Sequence, residues 1–176
     1  MKLCLDEGLT AEVCRKYGNR LPQRLLALPQ QLPWSREVVG EVRLTSQWPA
    51  WDQTLILPGK GRSWPQERLV WLNLERPTSK DLLAAAVHEL RHIWQYYVRR
   101  DFMQREVQTD DPIIAYWMKP CEVDARRAEW CYRYRLPQPA TVGTDWPIGR
   151  TEFTGDELSD PLTGWWLSHC LFANEK

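Results

Sequence analysis

An α+β fold is what this sequence predicts: a small mixed or antiparallel sheet of about three strands, then a long helix, then a second helix closing over it. Three observations lead there. Short alternating runs rich in β-branched residues fill the stretch before residue 75, a capped helical pattern begins at Ser79, and Pro120 opens a further helix.

Taken in order, Thr10 to Leu28 has helical composition with Thr10 as cap. Gly18 and Pro22 interrupt it, so one short helix and a broken second turn are expected. Glu37 to Thr45 (EVVGEVRLT) alternates, Gln53 to Leu57 (QTLIL) is short and apolar, and Arg68 to Leu74 (RLVWLNL) alternates again. These are the expected strands. Pro58 to Pro65 (PGKGRSWP) carries turn residues and reads as the loop joining the second strand to the third, a length that allows a hairpin.

The clearest helix runs from Ser79 to about Arg100, with Thr78 and Asp81 placed as a capping box. Leu83, Val87, Leu90, Trp94 and Tyr97 gather on one side of it. Asp81, Ala84, Ala85, His88, His92, Gln95 and Arg99 gather on the other. Pro112 and Pro120 each occupy a first-turn position of a following helix, the second reaching about Arg135. One domain is expected over residues 1–176, with its core near 34–135 and an irregular tryptophan-rich tail from 136 to 176.

Composition narrows the function classes. With 43% hydrophobic and 26% charged residues, the 176-residue chain has the balance of a soluble globular protein. Its net charge is zero, so no field attracts nucleic acid or an anionic membrane, and neither is expected as a partner. No apolar run is long enough for a spanning helix, and the amino terminus lacks the pattern of an export signal. Five cysteines without a CxxC pair fit reduced thiols, which points to the cytoplasm. The eleven tryptophans are spread along the chain, as fillers of core and cleft walls.

His88-Glu89-Leu90-Arg91-His92 is an HExxH motif. Residues four apart lie one helical turn apart, so both imidazoles can address one ion, while Glu89 projects beside them as a general base for water. A catalytic zinc also needs a third protein ligand and an open position. Glu106, Asp110, Asp111, Glu122, Asp124, Glu129 and His169 follow in the chain, and Glu122 is the best placed, in the first turn opened by Pro120. Small Ala125 and Ala128 would let that helix approach the first. Asp124, two residues on, falls on a different helical face from Glu122, and could serve as an acceptor that orients a histidine. Tyr116, Tyr96 and His169 are candidate donors to a developing oxyanion. Cys121 points away from a liganding Glu122.

HELRH followed by Glu122-x-Asp124-Ala125 resembles the short gluzincin zinc peptidases, in particular the phage and bacterial ImmA/IrrE-like group. Over Arg68 to Arg135 the resemblance implies a zincin-like fold, zinc held by His88, His92 and Glu122, Glu89 as general base, and a protein or peptide substrate. It also implies an edge strand that binds the substrate antiparallel, a place taken here by Val70, Trp71, Leu72, Asn73 and Leu74. This chain departs from the group in having Asp124 where Glu is usual, and in its tail. Two other readings keep the motif and change the function. One is a non-catalytic zinc-containing binding or regulatory module. The other is a SprT-like protease acting on DNA-bound proteins, whose third ligand would be a histidine, with only His169 available.

Overall fold

Four short strands and six helices are described in the computed structural model, which covers residues 1–52, 60–75, 78–105, 116 and 119–143. The chain divides into two compact units, Met1–Gly143 and Thr144–Lys176, and every described residue belongs to the first. The expected strand at Gln53–Leu57, the helix opened by Pro112, His169 and the tail from residue 144 lie outside the described residues.

Strand β1 (Lys2–Leu5) is followed by α1 (Glu7–Tyr17), α2 (Arg20–Leu26) and α3 (Leu28–Gln31). Helix α1 begins a turn earlier than Thr10, because the Asp6 carboxylate caps it by accepting from the Leu9 amide at 2.6 Å. Gly18, at φ 86°, ends it. Pro22 does not break α2: it sits in the first turn, where no intrahelical partner is needed. A short 3₁₀ turn, Pro33–Glu37, then delays β2 to Glu41–Thr45, so the strand expected from Glu37 is shortened.

Strand β2 pairs in parallel with β1, an element with too little alternation to be read from sequence. Strands β3 (Gly61–Trp64) and β4 (Leu69–Leu72) form an antiparallel hairpin, and β4 also pairs in parallel with β2. The order is β1-β2-β4-β3, a mixed sheet. Two expectations are corrected here. Gly61–Trp64, read as loop, is a strand made by backbone pairing with β4, although Gly, Arg and Ser carry little strand preference. The segment Val70, Trp71, Leu72, Asn73 and Leu74 is not an edge: β4 is bonded on both sides, the Asn73 amide donates to the Lys60 carbonyl at 3.0 Å, and Leu74 is buried. The edge on that side, among the described residues, is β3.

Helix α4 (Ser79–Val98) forms with the expected capping box: the Asp81 amide donates to Thr78 Oγ1 and the Thr78 amide to Asp81 Oδ2, both at 3.2 Å. After α5 (Arg100–Met103), helix α6 (Pro120–Arg133) starts with proline in its first turn and packs along α4. Ala84, Ala85, Ala125 and Ala128 are all buried, so small side chains let the two helices close. The main core joins Leu83, Val87, Leu90 and Trp94 of α4 to Leu44, Val70 and Leu72 of the sheet and to α1–α3. On the other sheet face Trp48, Trp51, Trp64 and Trp71 meet edge to face at 5.1–5.5 Å, so the tryptophans are not as evenly dispersed as they are in sequence. No helix among the described residues is long and apolar enough to cross a membrane.

Candidate metal centre

The side of α4 that carries the histidines is buried under α6 and does not face solvent. One turn apart, His88 and His92 bring their Nε2 atoms to 3.2 Å. Glu122, from the first turn of α6, places Oε2 at 3.4 Å from His88 Nε2 and Oε1 at 3.3 Å from His92 Nε2. The three side chains thus form a triangle of donor groups, with each imidazole Nε2 facing a different oxygen of Glu122. Around a tetrahedral ion with bonds of about 2.0–2.1 Å, ligand atoms stand roughly 3.3–3.4 Å apart, so the His88–His92 spacing and the approach of Glu122 to each ring are of the size that a shared zinc ion would need. Two imidazoles and a carboxylate are also the donor types that zinc takes.

The surroundings hold each of these three side chains. His88 Nδ1 lies 3.2 Å from Glu129 Oε2, an ion-pair approach off the hydrogen-bond line. Glu129 therefore addresses the ring nitrogen away from the triangle and is a partner to His88, not a further member of the group that could hold an ion. His92 Nδ1 lies 2.9 Å from Gln95 Oε1. Arg126 Nη2 stands 3.6 Å from Glu122 Oε2. Asp124 is wholly buried, and Arg91 donates to both of its oxygens, at 2.7 and 3.1 Å. Asp124 and Glu122 both reach α4, one to Arg91 and Gln95, the other to the histidines.

Charge is strongly coupled in this pocket. Burial alone would lower the His88 pKa, but Glu122, Glu129 and Glu89 overcome it and raise the pKa to about 10. His92 also moves up, its burial outweighed by Glu122. Burial opposes ionisation of Glu122 and Glu129, yet the two histidines hold Glu122 well below the usual carboxylate range, and His88, with Lys60 and Arg133, holds Glu129 at about 2. Cys121 is pushed up to about 11 by burial and by Glu122, which keeps it a thiol.

Glu89 is buried beside the triangle without belonging to it. Burial raises its pKa despite the opposing histidines and a hydrogen bond from Ser63. The small face of β3 makes this possible. A Cβ added at Gly61 would lie 2.9 Å from Glu89 Cγ and 3.1 Å from the Trp71 carbonyl oxygen, so strand and carboxylate can approach only because residue 61 has no side chain. Tyr116 joins the site. Although Tyr116 is half exposed, partial burial and the charges of Glu122 and Glu89 raise its pKa, leaving a protonated hydroxyl that is hydrogen-bonded to Glu122. Tyr96 packs instead against Tyr97, with ring centroids 5.2 Å apart, and against the Arg100 guanidinium.

Sequence reasoning brought His88, Glu89, His92, Glu122 and Tyr116 to this place and missed the parts of Ser63, Gly61, Gln95 and Glu129. Glu129 carried a signal, seven residues after Glu122 and so on the same helical face. Ser63 carried none. Comparison with family models, with curated proteins and with solved structures finds no match.

Proposed function

We propose that the protein is a zinc-dependent peptidase of the zincin-like, short gluzincin type. The observation that carries this reading is the donor triangle of His88, His92 and Glu122 with a buried, non-liganding Glu89 beside it. His88, His92 and Glu122 would hold the ion. When bound, zinc supplies Lewis-acid polarisation of a carbonyl and lowers the pKa of water. Glu89, its pKa raised by burial, takes the proton of the attacking water and passes it to the leaving amine. Ser63 keeps the Glu89 carboxylate aimed. Tyr116, held protonated, donates to the oxyanion that develops on the substrate carbonyl. An extended peptide would add antiparallel to β3, the edge strand beside Glu89 among the described residues, and not to β4.

A structural zinc reading would want a fourth protein ligand, and Glu129, the further carboxylate described against His88, faces the wrong ring nitrogen. The deciding experiment pairs elemental analysis with cleavage of a proteome-derived peptide library. Wild-type protein should hold zinc and cleave. Glu89→Gln should hold zinc and lose about 10²–10⁴-fold in rate, and Glu122→Ala should lose the metal. Cleavage by Glu89→Gln at the wild-type rate would sink the mechanism.

A further inference from the structure

Gln95 takes no part in the chemistry above, yet its side chain is wholly buried between the two helices that carry the ligands. Its amide nitrogen lies 2.9 Å from the Cys121 carbonyl oxygen and 2.7 Å from Asp124 Oδ2, and its amide oxygen lies 2.9 Å from His92 Nδ1. A backbone carbonyl can only accept. The Asp124 carboxylate, gripped by Arg91, also accepts. Both acceptors therefore require the NH₂ end of Gln95, because the flipped amide would set a buried carbonyl oxygen against two others. The oxygen of Gln95 is thereby committed to His92, and Nδ1 must be the donor in that pair. A neutral imidazole with its proton on Nδ1 carries its lone pair on Nε2, the atom that points into the donor triangle.

From this geometry we infer that Gln95 is the positioning residue of the metal centre: braced by Asp124 and the Cys121 carbonyl, it fixes His92 in the tautomer and ring orientation that present Nε2 to the ion. The inference rests on the reading of His88, His92 and Glu122 as ligands. The brace extends further. Asp124 Oδ1 accepts from the Gly143 amide at 3.0 Å, and Arg91 donates to the Pro139 and Thr141 carbonyls at 3.2 and 2.8 Å. The segment after α6 is thus tied to the same carboxylate that holds Gln95. In sequence terms the unit is His-Glu-x-Arg-His-x-x-Gln followed by Glu-x-Asp, where Arg91 holds Asp124, Asp124 holds Gln95 and Gln95 holds His92.

Full-length protein with ¹⁵N-labelled histidine, stripped of metal and placed in alkaline buffer where the imidazoles are neutral, reads the tautomer directly. Long-range ¹H–¹⁵N ring correlations should show His92 with Nδ1 protonated and Nε2 bare. In competition with a chromophoric chelator, Gln95→Met should bind zinc about 10- to 100-fold more weakly than wild type, and its His92 should lose the tautomer preference. Wild-type His92 carrying its proton on Nε2 would overturn the inference, whether or not the variant folds. So would wild-type zinc affinity in a folded Gln95→Met. A wild-type protein that binds no zinc while His92 keeps Nδ1 protonated would overturn the ligand reading, and the role in metal binding with it, while leaving the hydrogen-bond assignment standing.

Discussion

Helix α4 is buried on two sides by opposite means. Toward the sheet and the N-terminal helices it presents Leu83, Val87, Leu90 and Trp94 to an apolar core. Toward α6 it presents His88, Arg91, His92 and Gln95, which meet Glu122, Asp124 and Glu129. The first side gains free energy simply by leaving water. The second gains little, since desolvating ions offsets most of their attraction, and a hydrophobic seam of similar volume would hold two helices at least as well. A polar seam kept in so buried a place is therefore better explained by what its groups do than by what they contribute to stability. Arg91 spans the two sides, with its guanidinium 3.9 Å from the Trp94 ring centroid and 5.1 Å from that of Trp34.

Removing one partner from the polar seam should give the largest stability change. Asp124→Ala strands the Arg91 charge and should cost about 3–5 kcal/mol in denaturant unfolding. The double replacement Arg91→Met with Asp124→Leu should recover most of that loss while zinc affinity stays low, because Gln95 is still unbraced. Recovery of both together would erase the distinction between the two sides. On the apolar side Leu90→Ala should cost about 2–5 kcal/mol through the cavity it leaves, with zinc affinity close to wild type, as chelator competition would show.

Acidity probes the seam next. The metal-free protein gains from the raised His88 pKa in full below 6.5, the unfolded value, and loses that gain as pH climbs toward about 10. The lowered Glu129 pKa stabilises above 4.5 and loses its effect as pH falls toward about 2. Thermal melts without metal should therefore decline on the alkaline side of pH 6.5. Saturating zinc should flatten that limb, because the ion replaces the protons, and calorimetry in buffers of different ionisation enthalpy should show net proton release on binding. A metal-free alkaline limb as flat as the zinc-loaded one would contradict the coupling. The smallest effect is expected at the sheet edge, where Gly61→Ala should cost about 1–3 kcal/mol through overpacking and reduce turnover by displacing Glu89, with zinc content unchanged.

What could be read in the chain followed the range of the forces involved. The capping box at Thr78, the one-turn spacing of His88 and His92, and the opening of α6 at Pro120 are local, and each formed where its residues stand. The N-terminal strand and β3 were not legible, because Lys2–Leu5 and Gly61–Trp64 become strands only by pairing with β2 and β4. The substrate-edge expectation failed for the same reason: alternation in Arg68–Leu74 marks a strand but says nothing of which neighbours it will have.

By itself, then, the sequence determined a helix with two imidazoles on one side, a carboxylate between them, and a second helix bearing Glu122, since backbone periodicity alone sets those relations. Only the tertiary structure decided that the histidine side is buried, that Glu129 and Gln95 each address an Nδ1, that Asp124 braces Gln95, and that Ser63 and Gly61 of one strand both meet Glu89. Those choices depend on how α4, α6 and β3 stack, and stacking is a property of side-chain volume and pairing across distant segments that no local pattern records.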